Sequence, residues 1–359
     1  MTNAGPTATP TKRHDGMIVV PGGEFAMGSQ DFYPEESPIH RVKVDTFALA
    51  ARAVTNRQFA EFVEATGYLT IAEQPLDAAI FPELAPEELL PGSLVFQPTD
   101  GPVDLGNWRA WWSWVPGASW RHPFGPDSEI ADKQDHPVVQ VSYTDAAAYA
   151  AWAGKRLPTE TEWEYAARGG QDGQTYAWGE DVRPEGRLMA NTWQGSFPYR
   201  NSGAEGWRGT SPVGTFPANG FGLFDMIGNV WEWTSSRFLG DHSAARASAG
   251  NLLAETTSSP EPVQPGSGGC GDGCTCGPSS SNEARRPESS VPAPDPEVRR
   301  VTKGGSHLCA PEYCLRYRPA ARSPQTEDSA TTHIGFRCAV DVDPTGDADS
   351  DGGSDGVIA

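Results

Sequence analysis

Residues 301–339 read VTKGGSHLCAPEYCLRYRPAARSPQTEDSATTHIGFRCA, and the assignment of the whole chain turns on this stretch. Within it, four residues separate Cys309 from Cys314, and the segment opens with Gly304-Gly305-Ser306. Two thiols on one short loop are too few for a structural zinc site, which takes four ligands. Two thiolates suit a soft monovalent metal such as Cu(I), and they leave a coordination position for an incoming thiol. The bland alternative is a buried thiol pair or a local disulfide. Pro311 lies between the two cysteines and bends the loop so that both sulfurs can face one point.

Outward from this stretch, composition narrows the class. The 359 residues suffice for one large domain or two small ones. Hydrophobic residues reach only 37%, but aromatics reach 10% with 12 Trp, so large rings supply much of the core. With 40 Gly and 32 Pro, short strands, few helices and many specified turns are expected. The 47 acids exceed the 27 bases, and the net charge of −20 argues against a nucleic-acid backbone as partner. Its plain consequence is solubility; a narrower expectation is that some of these acids line a groove for a basic peptide.

Met1–Asp15 is polar and shows no apolar signal region, and no apolar run is long enough to cross a bilayer. Asn-X-Ser/Thr acceptors are absent. The six cysteines fall as Cys270, Cys274 and Cys276 together, Cys309 and Cys314 together, and Cys338 alone. A secreted domain stabilised by bridges scatters its cysteines in pairs through the fold, so a reducing, cytoplasmic compartment is expected.

Along the chain, residues 1–16 read as a disordered lead. Met17–Val20, Pro-Gly-Gly and Glu24–Met27 read as a hairpin. Arg41–Thr46 alternates as a strand with Val42 and Val44 on one face. Thr55 and Gln58 make a capping box before a stripe of Phe59, Phe62 and Val63 that stops at Gly67. A second helix is expected from Thr144 to Ala153, with Gly154 as its C-cap. A third begins at Thr159, capped with Glu162, and turns Trp163, Ala166 and Ala167 inward until Gly169. Beyond Gly170 the pattern is short strands and turns. Leu239–Arg300 is rich in Ser, Pro and Gly without apolar periodicity, which predicts a flexible excursion. The acidic tail, 341–359, is expected to be loose.

Several words recur with the thiol segment. They are Pro21–Gly28 (PGGEFAMG), Trp120–Pro123 (WRHP), His136–Val138 (HPV), Gly154–Gly170 (GKRLPTETEWEYAARGG), Ala190–Pro198 (ANTWQGSFP) and Asn219–Thr234 (NGFGLFDMIGNVWEWT). Together they resemble the formylglycine-generating enzymes, also called sulfatase-modifying factors. The tryptophan-rich words occur throughout a broad superfamily whose members include other chemistry or none. The two cysteines, after Gly-Gly-Ser and before Arg-Tyr-Arg, separate the oxidases from those relatives.

The resemblance implies one α+β domain over 17–340, low in regular secondary structure and related to the C-type lectin fold. It implies that Cys309 and Cys314 hold Cu(I), and that a substrate cysteine joins as a third sulfur. That cysteine lies in a C-x-P-x-R motif of an unfolded sulfatase and becomes formylglycine with molecular oxygen and a thiol reductant. Ser306, Tyr313, Trp231 and Arg316 are expected to surround the centre. Structural calcium is implied at Asp225, Gly228, Val230 and Glu232, and again at Asn191, Thr192, Glu205 and Trp207, where the family more usually has Asp at position 205. Such carboxylate and carbonyl sets are what calcium takes. A monomer is expected, with no membrane or nucleic-acid partner.

Two rivals stand beside this reading. One is a non-catalytic binding module of the same superfamily, against which the cysteine pair argues. The other is an iron-dependent sulfoxide synthase, whose H-x-x-x-H spacing His40, His122, His136, His307 and His333 do not show. Asp347, Asp349, Asp351 and Gly352 imitate an EF-hand opening, but Ile358 falls on its closing acidic position. The Cys270/Cys274/Cys276 cluster reads as exposed thiols, and Cys338 as a packed free thiol, because the position where some relatives have its partner, in Tyr149–Ala151, is alanine.

Overall fold

Three capped helices and two small sheets position the thiol loop in this computed structural model, which describes residues 13–14, 16–79, 82–243 and 298–342. The first sheet has the order β1-β2-β5-β12: β1 (Arg13–His14), β2 (Met17–Val20), β5 (Phe47–Ala50) and β12 (Ala339–Asp341), all antiparallel. Between them in the chain, β3 (Gly23–Met27) pairs with β4 (His40–Val44). A second sheet has the order β10-β9-β8-β11: β8 (Trp231–Arg237), β9 (Arg299–Lys303), β10 (Arg322–Thr326) and β11 (Ile334–Gly335). A further hairpin joins β6 (Gly92–Phe96) to β7 (Trp112–Pro116).

The helices follow their sequence signals. Helix α1 (Asn56–Thr66) carries the full Thr55/Gln58 capping box and ends at left-handed Gly67. Helix α3 (Glu160–Arg168) has the Thr159/Glu162 box and ends at left-handed Gly169. Between them, α2 (Tyr143–Trp152) starts from a Ser142/Asp145 box one residue ahead of expectation, and Ala153 takes the C-cap with Gly154 following in the left-handed region. Phe59 and Phe62 of α1 are buried against Tyr149 of α2, with Trp120 and Phe336 closing the cluster.

The expected hairpin over Met17–Met27 does not form. A two-residue hairpin turn needs left-handed backbone, and neither Gly22 nor Gly23 has it. Gly22 instead lies so close to Val44 that an added Cβ would sit 2.9 Å from its carbonyl oxygen, and its N–H donates to Thr46 Oγ1 at 3.0 Å. The Pro-Gly-Gly word is therefore a corner where the chain leaves one sheet for another. Three boundaries also differ from expectation. Arg13–His14, in the expected lead, pairs with Met17–Ile18, and Arg299–Arg300 belong to β9 rather than to the excursion. Asp341 lies in β12, where it accepts from Arg156. The cysteine cluster at 270–276 and the acidic motif at 347–352 lie outside the described residues.

Charge as well as hydrophobic packing holds the region behind the thiol loop. Lys303, the last residue of β9, is fully buried and donates to Glu164 Oε2 at 3.0 Å, while Arg168 donates to Glu164 Oε1 at 2.7 Å. Burial alone would push the Glu164 carboxyl up, yet these two cations hold it down to about 2. Arg318 meets Glu36 with two bonds of 2.6 and 2.8 Å, and Arg322 donates to Glu160 at 2.9 Å. A loop-rich structure cannot satisfy its buried groups with ladders, so it pairs them.

Candidate active site

Beyond β9 the chain turns sharply through Gly304 and Gly305, with φ of 92° and 69°. A side chain at Gly304 would meet Met226 O at 2.8 Å and the Trp163 ring at 3.0 Å, and one at Gly305 would meet Arg316 O at 2.9 Å. Only glycine fits, and the turn delivers Ser306 and Cys309 into the interior.

Cys309 N donates to Ser306 O at 2.9 Å, and Ser306 N donates back to Cys309 Sγ at 3.3 Å. Cys314 N donates to Ala310 O at 2.7 Å, closing a single helical turn around Pro311. This turn brings the two sulfurs to 3.1 Å. That is too long for a disulfide bond and is hydrogen-bond contact between a thiol and a neighbouring sulfur. Burial and the second sulfur push Cys309 well up, whereas the bond from Cys309, with the backbone N–H and guanidinium of Arg316, holds Cys314 down. Cys314 is therefore the more acidic thiol of the pair.

The sulfurs open onto a cavity of about 630 Å³ that Ser306, Tyr313, Trp231 and Arg316 also line, so every residue expected around the centre reaches it. One wall is aromatic. Tyr313 stacks on Phe197 at 4.4 Å and 1°, and Trp111 meets both rings edge-on at 5.3 Å. Trp231 is buried at the base. Burial and the neighbouring thiols push the Tyr313 phenol up to about 12, so it stays a neutral donor. Ser306 is fully enclosed, and its Oγ accepts from Leu308 N at 3.2 Å, which leaves its hydroxyl proton for another partner.

The cavity lining includes Arg299 and Arg316 and no carboxylate. The acidic groove expected from the net charge is therefore not found there. Glu312, between the two cysteines, accepts from Phe197 N at 2.8 Å, and on the other side of the loop Glu35 pairs with Arg316, the Arg316 guanidinium lies 3.9 Å over the Tyr33 ring, and Tyr33 Oη accepts from Leu315 N at 3.0 Å.

Sequence reading missed His333 as a member of the site. It lines the cavity with its ring 4.9 Å from Trp112 and its Nδ1 2.8 Å from Thr331 Oγ1. Burial, and then His307, lower it to about 3, and burial lowers His307 to about 4, so both rings are neutral. A histidine five residues before Cys338 carries no local signal of this placement; the hairpin β6–β7 makes it, docking through Phe96 N to Thr332 Oγ1 at 3.2 Å. His40, His122 and His136 bond neighbouring loop oxygens, as expected of packed turn residues.

The two sets implied for calcium differ. Asn191 is buried, its Nδ2 is bonded, and its Oδ1 is buried without a partner. Glu205 is exposed and left-handed, in a turn where Ala204 and Trp207 exchange backbone bonds, and Thr192 O accepts from Gln194. In the other set, Asp225 accepts from Gly214 N at 2.6 Å, and burial pushes its carboxyl up to about 6. Glu232 there is already engaged by Arg337 at 2.6 and 2.7 Å and by Trp163 Nε1 at 2.8 Å. Cys338 is a buried free thiol, pushed up to about 12 by burial.

Residues 2–342 match the family model described as a sulfatase-modifying factor enzyme 1-like domain. The chain is 59% identical to the formylglycine-generating enzyme of Mycobacterium tuberculosis over 90% of this chain and 97% of that one. It is 42% identical to the formylglycine-generating enzyme of Thermomonospora curvata over 94% and 97%. Among solved structures, PvdO from Pseudomonas aeruginosa is similar in fold, with a TM-score of 0.54 at 23% identity over 94% of this chain and all of that one.

Proposed function

Since the chain belongs to the sulfatase-modifying factor family and is a formylglycine-generating oxidase, we propose that it acts on a cysteine in C-x-P-x-R motifs of sulfatases with Cu(I) held by Cys309 and Cys314. One observation carries the metal assignment: two buried sulfurs 3.1 Å apart that face one cavity, a pair of soft donors such as Cu(I) takes. Among the described residues no three His, Cys, Asp or Glu side chains converge on one point, which leaves the third sulfur to the substrate. When bound, Cu(I) supplies the single-electron reactivity toward dioxygen that a bare thiol lacks.

The overall conversion balances as follows. The substrate CH2–SH becomes CHO, its sulfur leaves as hydrogen sulfide, and dioxygen ends as the aldehyde oxygen and one water. Dioxygen accepts four electrons, two from the substrate carbon and two from an external thiol that becomes a disulfide. The chain's own residues provide the setting. The rings of Trp111, Phe197, Tyr313 and Trp231 wall the cavity, and Ser306 and Tyr313 bring hydroxyls to the same lining as the sulfurs. Arg316 neutralises the charge on Cys314. In an extended peptide the motif arginine lies about 13 Å from the cysteine, which puts it at the rim rather than among the rings.

In the first set the unpartnered Asn191 Oδ1 is the atom that would take calcium, and the exposed Glu205 is the carboxylate the resemblance adds to it. In the second set Asp225 fits, while Glu232 answers to Arg337, so a cation there would rely on Asp225 and backbone carbonyls. Among the described residues no helix is long and apolar enough to cross a membrane, and the described cysteines are free thiols, which supports a reducing cytoplasmic setting.

The test is direct. Pure protein is incubated with a C-x-P-x-R peptide, thiol and oxygen, with Cu(I) or with a strong Cu(I) chelator, and the aldehyde is trapped and weighed by mass spectrometry. Aldehyde only with copper is expected. Full turnover under the chelator would point to thiol–disulfide chemistry at Cys314 and end the copper reading.

A further inference from the structure

The unpartnered oxygen of Asn191 lies two residues from a bond on the thiol loop. Trp193 N donates to the Cys309 carbonyl at 3.0 Å. Asn191 also holds Asn229 from two sides: its carbonyl accepts Asn229 N at 2.8 Å, and its Nδ2 donates to Asn229 Oδ1 at 3.2 Å. Asn229 in turn holds the loop, because its carbonyl accepts His307 N at 3.0 Å and His307 Nδ1 at 2.8 Å. All five residues are at most 5% exposed. The segment from Ser306 to Cys309 therefore hangs at His307 from Asn229 and at Cys309 from Trp193, and both supports start at Asn191.

A buried amide oxygen with no donor costs free energy until a cation or water satisfies it. Asn191 Nδ2 is already held by Gly209 O, Ser211 Oγ and Asn229 Oδ1, and a cation on Oδ1 would add a further tie at the head of the backbone running to Trp193. We propose that this cation site is energetically coupled to the Cys309–Cys314 pair through Trp193 and Asn229, so that calcium at Asn191 raises the affinity of the two sulfurs for Cu(I). This rests on the copper reading above. Cys309 is the coupled sulfur; Cys314 hangs from Ala310 and the Arg316 side and is not reached by this chain of bonds. Coupling between sites in proteins commonly amounts to five- to 150-fold, and about tenfold is expected here.

The experiment uses the full chain, reduced and without oxygen. Cu(I) affinity is measured by competition with a chromophoric Cu(I) chelator, in excess calcium and in excess calcium chelator. Circular dichroism on the same samples checks that the fold is intact. The expected result is about tenfold tighter Cu(I) binding with calcium, and an equal tightening of calcium by Cu(I) in calorimetry, because linkage is reciprocal. Asn191→Ala should give the calcium-free Cu(I) affinity at any calcium concentration; should it fail to fold, the two wild-type titrations decide alone. Equal Cu(I) affinities in both calcium states overturn the coupling, as does a difference that appears only where the chain unfolds, or calorimetry that detects no calcium binding. An absence of Cu(I) binding in every state would instead bring down the copper reading.

Discussion

The loop from Cys309 to Arg318 has two sides of opposite character. Toward the cavity it faces the rings of Trp111, Phe197, Tyr313 and Trp231, with no carboxylate in the lining. Toward the segment Phe32–Glu36 it faces charge: Arg316 with Glu35, and Arg318 with Glu36 and with the Phe32 ring 3.6 Å below it. A thiolate centre for a soft cation needs surroundings that offer no competing hard anion, and rings provide that. A loop without regular hydrogen-bonding needs partners of fixed geometry, and bidentate arginines provide that. The same ten residues of chain thus rest on ion pairs and present sulfur to a ring-walled cavity without a carboxylate.

The largest effect should come from the point where the two sides meet. Cys309→Ser or Cys314→Ser exchanges a soft ligand for a hard one and should lower aldehyde formation by about 10⁴-fold or more, with Cu(I) binding lost in both. Peptide turnover and chelator competition measure this, and intact Cu(I) affinity in either variant would contradict the shared centre.

Next comes the charged side. Glu36→Gln leaves Arg318 buried without its counter-charge, since the pair is only 0% and 2% exposed. A loss of about 3–5 kcal/mol in denaturant unfolding is expected. Replacing both residues by apolar ones of similar size should recover most of it, and a cost below 1 kcal/mol for Glu36→Gln would mean that the pair does not support the loop.

His333 in the cavity wall, and His307 buried behind it, come next, because burial keeps both rings uncharged. Their folded pKa values lie below the unfolded 6.5, so the stability they contribute is present above that value and is lost as pH falls toward 4. Ring nitrogen resonances should show both neutral down to pH 5.5. In His333→Gln the acid slope of unfolding free energy between pH 6.5 and 5 should be shallower by about 1.4 kcal/mol per pH unit. A His333 that titrates near 6.5 would place it outside the enclosed wall.

The smallest effect is expected from the rings themselves. Phe197→Leu removes the partner that Tyr313 stacks on, and about 1 kcal/mol, or roughly fivefold in peptide KM, should be lost with Cu(I) affinity unchanged. A change in copper affinity of the same size would mean that this wall shapes the metal centre as well as the peptide site.

How far these features were legible from residues alone depended on the distance between partners. The boxes at Thr55/Gln58 and Thr159/Glu162 and the stops at Gly67 and Gly169 were read correctly because each is complete within one turn of chain. The thiol pair was visible for the same reason. The hairpin at Met17–Met27 was misread because Pro-Gly-Gly names a bend without naming the strand it leads to.

Local chemistry, then, decided where helices begin and end, that two soft ligands share one loop, and which family the chain resembles; these depend on neighbours in the chain, whose separation the backbone sets. The fold alone decided that the cavity carries arginines and no acids, that His333 stands in its wall, that Glu35 and Glu36 brace a loop some 281 residues away, and that Trp193 bonds Cys309. Those pairings arise only when long-range packing closes, and no spacing in the sequence records which distant residues a closed loop will meet.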